Sequence, residues 1–268
     1  MGSEMDFVGK VVIVTGAAKG MGFGAAVKFA NEGASVALVD NDAATLATVE
    51  KNFLSSGKKV KAFPTDVSSA RDVEKMVAGV IAEFGALDVI ANCAGIQTYG
   101  DAVETTEEIW DKTLDVNVKS MFLTAKYGVP HMRKRGGGAI VNISSVQSIG
   151  AQKQVVAYST SKGAINALTR AMAMDFAVDK IRVNSVLPGS VDTPLLRFAA
   201  ETHKGNKTVD EVVAEWGSSH PIGRMGTIED IAELVAFLAS DRALFITGSD
   251  YVIDGGLMAQ IPVILPEK

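Results

Sequence analysis

Short β-branched runs alternate with longer helical patterns along nearly the whole chain, and that alternation restricts the fold more than any single motif. Residues 11–14, 35–39, 59–63, 87–91, 139–143, 181–187 and 251–253 read as strands. Between them, segments such as 23–31 and 70–84 space their apolar residues three and four apart, as helices with one buried face do. Strands that are apolar throughout, each followed by a helix, imply a parallel sheet covered on both faces. Pro64, Pro188 and Pro221 fall at or beyond element ends, where a missing N–H matters least.

No composition shift marks a linker, so residues 1–268 are expected to form a single α/β domain. The least regular stretch, 190–226, holds two helix-like pieces at 195–201 and 209–217. An excursion of that length in a tight domain is usually functional, and we expect a lid over the site.

The formal charge of -5 argues against nucleic acid as a partner. The densest basic stretch, Arg133-Lys134-Arg135, closes a helical pattern before three glycines and reads as cations complementing a helix C-terminus. Cys93 is the only cysteine, which rules out an intrachain disulfide and suits a reducing compartment. The first ten residues lack a signal-peptide core, and no apolar run reaches the roughly 20 residues that span a membrane. A cytoplasmic protein without membrane or metal partners is the expectation; three scattered histidines and one cysteine give no ligand spacing.

Gly16, Gly20 and Gly22 sit between a strand pattern and a helix pattern. Glycines there let the backbone approach a pyrophosphate, and the helix opening near Met21 offers free N–H groups and a positive dipole end. Asp40 closes the second strand, where a carboxylate can accept from the ribose hydroxyls of an adenosine. The same charge would repel the 2′-phosphate of NADP. Lys19 pulls the other way, but NAD is the favoured cofactor and NADP the lesser one. Asp66-Val67, after the third strand, either contacts adenine or merely opens the next helix. Asn92, Ala94 and Gly95 end the fourth strand with small residues, as a backbone lying against a cofactor requires.

Tyr158 and Lys162 stand four apart, on one face of a helix, and Ser145 lies thirteen residues before the tyrosine. A free tyrosine is a poor base at neutral pH. A nearby lysine and a helix N-terminus are expected to favour its phenolate and bring it closer to working pH. Ser145 follows a strand and could hold the substrate oxygen; spacing does not separate it from Ser144. A nucleophilic hydrolase is disfavoured, because Gly-x-Ser-x-Gly is absent around Ser145. His220 is expected to be a solvated or capping lid residue.

In this order, Thr15-Gly16-x-x-x-Gly20-x-Gly22, Asn92-x-Ala94-Gly95, Asn117, Ser145, Tyr158-x-x-x-Lys162, Pro188-Gly189 and Asp254-Gly255-Gly256 resemble the short-chain dehydrogenase/reductase family. The resemblance implies a Rossmann-type, seven-stranded doubly wound sheet, and a homotetramer. It implies Ser145 as the substrate-orienting serine, Tyr158 as acid/base and Lys162 as its activator and ribose ligand. Asn117 would hold a relay water. Val191 and Thr193, after Pro188 and Gly189, would meet the nicotinamide, and Asp66 and Val67 the adenine. The chain departs from the family's Asn-Asn-Ala-Gly at Cys93, which puts one structural hydrogen bond in doubt but no chemistry.

The expected substrate lining is Gln147, Gln154, Ser190 and Trp216, with Ile96, Ile149 and Leu195. Two glutamines suggest a sugar, polyol or cyclic alcohol. The runner-up is an NADPH-dependent 3-oxoacyl-thioester reductase, and a non-catalytic nucleotide-binding protein stands behind it. The apolar C-terminal stretch 261–265 suggests a subunit interface.

Overall fold

The strands β1 (Val11–Thr15), β2 (Ser35–Asp40), β3 (Val60–Pro64), β4 (Val89–Asn92), β5 (Gly138–Ile143), β6 (Ile181–Pro188) and β7 (Asp250–Ile253) fall within two residues of the sequence expectation. They come from a computed structural model that describes residues 5–261. All pair in parallel into one seven-stranded sheet of order β3-β2-β1-β4-β5-β6-β7. The order reverses between β1 and β4, and a doubly wound sheet binds its ligands at the carboxyl ends beside that reversal.

Strand alternation explains the continuous apolar runs. Val12 and Val14 of β1 face α1 (Gly20–Asn31), α2 (Ala43–Ser55) and α9 (Ile228–Ala239). Val11 and Ile13 face the other side, where α3 (Ala70–Phe84), α5 (Ser120–Arg135) and α6 (Val156–Phe176) pack. Both faces are covered, so neither can be polar. The Arg133–Arg135 cluster does end α5, which closes on Gly136 in the left-handed conformation. Arg135 also pairs with the buried Asp88 at 2.9 Å.

α4 (Glu107–Leu114) runs into α5 through a π turn at Asp115–Lys119. The 190–226 excursion contains α7 (Pro194–His203) and α8 (Val209–Ser218). Arg197 ties it together, donating to both Asp192 oxygens at 2.7 and 2.9 Å and to Asp210 at 3.0 Å. Of the apolar C-terminal stretch only Ile261 is described; residues 262–268 lie outside the described residues. Among the described residues no helix is long and apolar enough to cross a membrane, and no cluster of side chains could hold a metal ion.

Candidate active site

The glycine turn is built for close approach. A Cβ on Gly22 would stand 2.1 Å from the Gly16 carbonyl oxygen, so the first turn of α1 lies directly on the end of β1. Gly16 itself holds φ +68, a conformation that side chains rarely adopt. α1 begins without a side-chain cap and without an acidic residue in its first turn, which leaves its N–H donors and dipole for an anion. Asp40 ends β2 with its carboxylate steered by two backbone donors, Ala18 N and Asp42 N, each at 3.0 Å. Each oxygen keeps a lone pair for a ribose hydroxyl. Lys19, at the cap of α1, sits close enough to Asp42 to help hold that carboxyl below the usual range, behind the stronger hydrogen bonds from Thr45. These residues fit a dinucleotide.

Asp66 does not cap α3: Ser69 does, accepting from Asp72 N at 3.3 Å. Asp66 is exposed and commits one oxygen to Ser68, with the buried Val67 beside it. Asn92 turns its side chain inward. Its amide donates to Asn142 at 2.9 Å and accepts from Thr124 at 2.9 Å, so the side chain is spent in the interior between β4, β5 and α5. Gly95 leaves room where Asn117 and Lys162 converge; a Cβ there would meet Asn117 Oδ1 at 3.3 Å and Lys162 Nζ at 3.8 Å. Cys93 and Ala94 both donate their N–H to Thr15 Oγ1, at 3.0 and 3.1 Å, so the backbone here is anchored without a second asparagine. Burial pushes the Cys93 thiol up to about 12, which leaves it unreactive.

α6 opens at Val156, two residues before Tyr158, and places Lys162 one turn further on. Lys162 is buried; its Nζ donates to the Ile143 carbonyl at 3.0 Å and lies 5.4 Å from the Tyr158 ring centroid. Burial pulls this lysine down to about 8. Desolvation pushes the Tyr158 phenol up to about 12, against an opposing pull from the Ser145 hydroxyl. This reverses the expected direction: the lysine charge is aimed at a carbonyl and at the ring face, and desolvation of the hydroxyl outweighs it. The protein alone therefore holds a neutral phenol beside a lysinium at neutral pH. That arrangement can donate a proton to a carbonyl oxygen, or accept one from an alcohol when further positive charge is supplied.

The two serines part company. Ser144 donates to the Lys162 carbonyl at 3.0 Å and is buried, whereas Ser145 caps the short turn 146–148, with Gln147 N donating to its hydroxyl at 3.1 Å. Asn117 lies inside the π turn, fully buried, its amide exchanging hydrogen bonds with Ile96 at 2.8 and 2.9 Å and donating to Ser161 at 3.0 Å. Both amide protons are committed, and Oδ1 keeps one lone pair. No sequence signal marks the π turn, although such turns gather at functional sites.

Pro188 and Gly189 end β6, and Val191 pairs with Gly226 across the mouth of the excursion. Thr193 caps α7 and reaches within 3.7 Å of where a Gly20 Cβ would stand, so this turn abuts the glycine turn. Each expected glutamine has a protein partner and keeps further amide hydrogen-bonding positions. Gln147 donates to Gln152 at 3.0 Å and accepts from Ser159 at 3.2 Å, while Gln154, exposed at φ 63, reaches Asp101 instead. Tyr99 was missed by the sequence reading: it sits near Tyr158 and packs edge-on against His203 of α7 at 5.2 Å. Trp216 of α8 is half-buried, and Ile149 and Leu195 are exposed. Of the two expectations for His220, solvated or capping, the second fits: it is buried within the excursion and accepts from Ser190 N. A cavity of about 640 Å³ lies at the opposite end of the sheet, where Asp88, Arg135 and Arg182 are already engaged. Chemistry, not volume, marks the site.

A family model described as enoyl-(acyl carrier protein) reductase matches residues 16–258. A 2-(S)-hydroxypropyl-CoM dehydrogenase of Xanthobacter autotrophicus is 39% identical over 251 residues, covering 93% of this chain and 97% of that protein. The ligand-free aldohexose dehydrogenase of Thermoplasma acidophilum superposes with a TM-score of 0.90 at 36% identity, covering 99% of both chains. The L-sorbose reductase of Gluconobacter frateurii, solved with NADPH and L-sorbose, gives 0.92 at 30% identity over 96% of this chain and 100% of that one. By this coverage, and by the order of its motifs, the chain belongs to the short-chain dehydrogenase/reductase family of NAD(P)-dependent oxidoreductases.

Proposed function

We propose that the protein moves a hydride between a secondary alcohol and NAD, with Tyr158 as the acid/base. The observation that carries this reading is the grouping of Tyr158, Lys162 and Ser145 at the carboxyl end of the sheet, the end that also holds the glycine turn and Asp40. When bound, the dinucleotide supplies the hydride acceptor or donor. Ser145 orients the substrate oxygen and Lys162 raises the positive potential around the phenol. Relay of the proton toward solvent falls to Asn117. Gly16, Lys19, Gly20, Met21 and Gly22 take the pyrophosphate, Asp40 the ribose, Asp66 and Val67 the adenine. Ala94, Gly95, Pro188, Gly189, Val191 and Thr193 frame the nicotinamide end.

The substrate range is a sugar, polyol or cyclic alcohol. Relatives named for an aldohexose and for L-sorbose support the sugar end of that range. The Tyr99 ring, close to Tyr158 and packed on His203, favours the cyclic end. A 3-oxoacyl-thioester reductase is supported by the family model's description, and NADPH by the sorbose-reductase complex. Asp40 weighs against a 2′-phosphate, and Lys19, drawn toward Asp42, does little to offset it. The wild type is expected to prefer NAD over NADP by more than about tenfold in kcat/KM, and Asp40→Ala to bring the two within about threefold. Unchanged preference in Asp40→Ala would remove Asp40 from cofactor selection.

The assembly proposed is a homotetramer. Phe122 on α5, Met174 on α6 and Val252 on the edge strand β7 are exposed apolar side chains that an interface would cover. Light scattering is expected to give four copies of the 28.1 kDa chain. A mass of one copy at micromolar protein would contradict it.

A further inference from the structure

His220 is only 2% exposed although it lies in the excursion, and both of its ring nitrogens are committed. Nε2 accepts from the Ser190 N–H at 3.1 Å, and Nδ1 faces the Trp216 carbonyl of α8 at 3.0 Å. A carbonyl can only accept, so Nδ1 carries the proton and Nε2 is free to accept; the neutral Nδ1–H form alone satisfies both. The ring presses on the turn it serves, since a Cβ on Gly189 would stand 3.0 Å from Nε2. Backbone pairing runs alongside this contact, with Gly226 N donating to Ser190 O at 2.9 Å and Asp192 N to Gly226 O at 3.0 Å.

We propose that His220 is a positioning residue that joins the substrate-side excursion to the cofactor-side turn 188–193, so that the end of α8, Ser190 and Thr193 are held as one body against the glycine turn. The proposal rests on the reading of 188–193 as the nicotinamide-side turn. Its physical content is the acceptor: the part-buried Ser190 N–H takes one from His220, which stands two residues beyond the end of α8. A phenylalanine would fill the same space without an acceptor, whereas the Oε1 of a glutamine can stand where Nε2 stands.

The test measures NADH binding by cofactor fluorescence, without substrate, together with thermal melting. His220→Phe is expected to weaken NADH binding about tenfold or more, and His220→Gln to stay within about threefold of wild type. His220→Phe is expected to raise KM for cofactor more than it lowers kcat. A folded His220→Phe that binds NADH as the wild type does would overturn the proposal, and so would a His220→Gln as weak as the phenylalanine variant. Hydrogen exchange on the wild type tests the same coupling without a variant. NADH is expected to protect amides 219–226 together with 188–193, and protection of 188–193 alone would overturn it. A wild type that takes up neither NADH nor NADPH would overturn the cofactor-turn reading and this proposal with it, whereas the variant outcomes bear on His220 alone.

Discussion

Replacing Tyr158 by phenylalanine is expected to cut turnover by about 10²–10⁴-fold, the range general acid–base catalysis supplies, while NADH binding and melting temperature stay near wild type. The change removes one oxygen from a half-buried ring and leaves the contact between that ring and Lys162 in place. Affinity and stability should therefore report little, and the chemical step should report nearly everything. The phenol's displacement to about 12 in the free protein sharpens the expectation. A group that far above neutral pH holds its proton firmly, so at rest the site is poised to donate to a carbonyl. Oxidation of an alcohol asks the phenol to accept a proton, and its rate is expected to climb with pH. Lys162, drawn down to about 8, begins to lose its charge over the same rise, which limits the climb. Turnover unchanged in Tyr158→Phe would remove the tyrosine from the proton transfer altogether.

Gly22→Ala is expected to weaken NADH binding by about 100-fold or more, roughly 2.7 kcal/mol. The added methyl has nowhere to go: it would sit 2.1 Å from the Gly16 carbonyl oxygen and 2.8 Å from that of Thr15, both backbone atoms fixed at the end of β1. Either the first turn of α1 moves away or the glycine turn opens. In both cases the N–H donors no longer converge on one anion. The sheet should survive, because α1 is held elsewhere by Phe29, Ala26 and Ala30 in the core shared with α9. A folded Gly22→Ala with wild-type NADH affinity would show that α1 does not carry the pyrophosphate.

Much of the fold was legible because the strands are buried on both faces and announce themselves as unbroken apolar runs. The bounds 70–84 were readable, although Ser69 and not Asp66 caps the helix, and Gly85 closes it in the left-handed conformation. The glycine turn, Asp40 and the Tyr158–Lys162 pair were legible because each sits at a fixed offset from a strand or helix end. What escaped the sequence depends on partners far along the chain. The neighbours of Gln147 and Gln154 were not readable: Gln147 bonds Ser159 and Gln152, and Gln154 reaches Asp101. The inward hydrogen bonds of the Asn92 side chain, to Asn142 and from Thr124, were not readable either. The expected fall in the Tyr158 pKa failed for a related reason: spacing places the lysine nearby, but not where its ammonium points or how dry the phenol is. His220 offered only its place before a proline in an irregular stretch.

The most direct test of the central claim is the initial rate of reduced-cofactor formation by the wild type, with NAD and with NADP, across cyclic secondary alcohols, aldoses and polyols. Turnover with NAD on at least one of these, and markedly less with NADP, is the predicted result. No turnover with any alcohol, together with NADPH consumption on a 3-oxoacyl thioester, would contradict it.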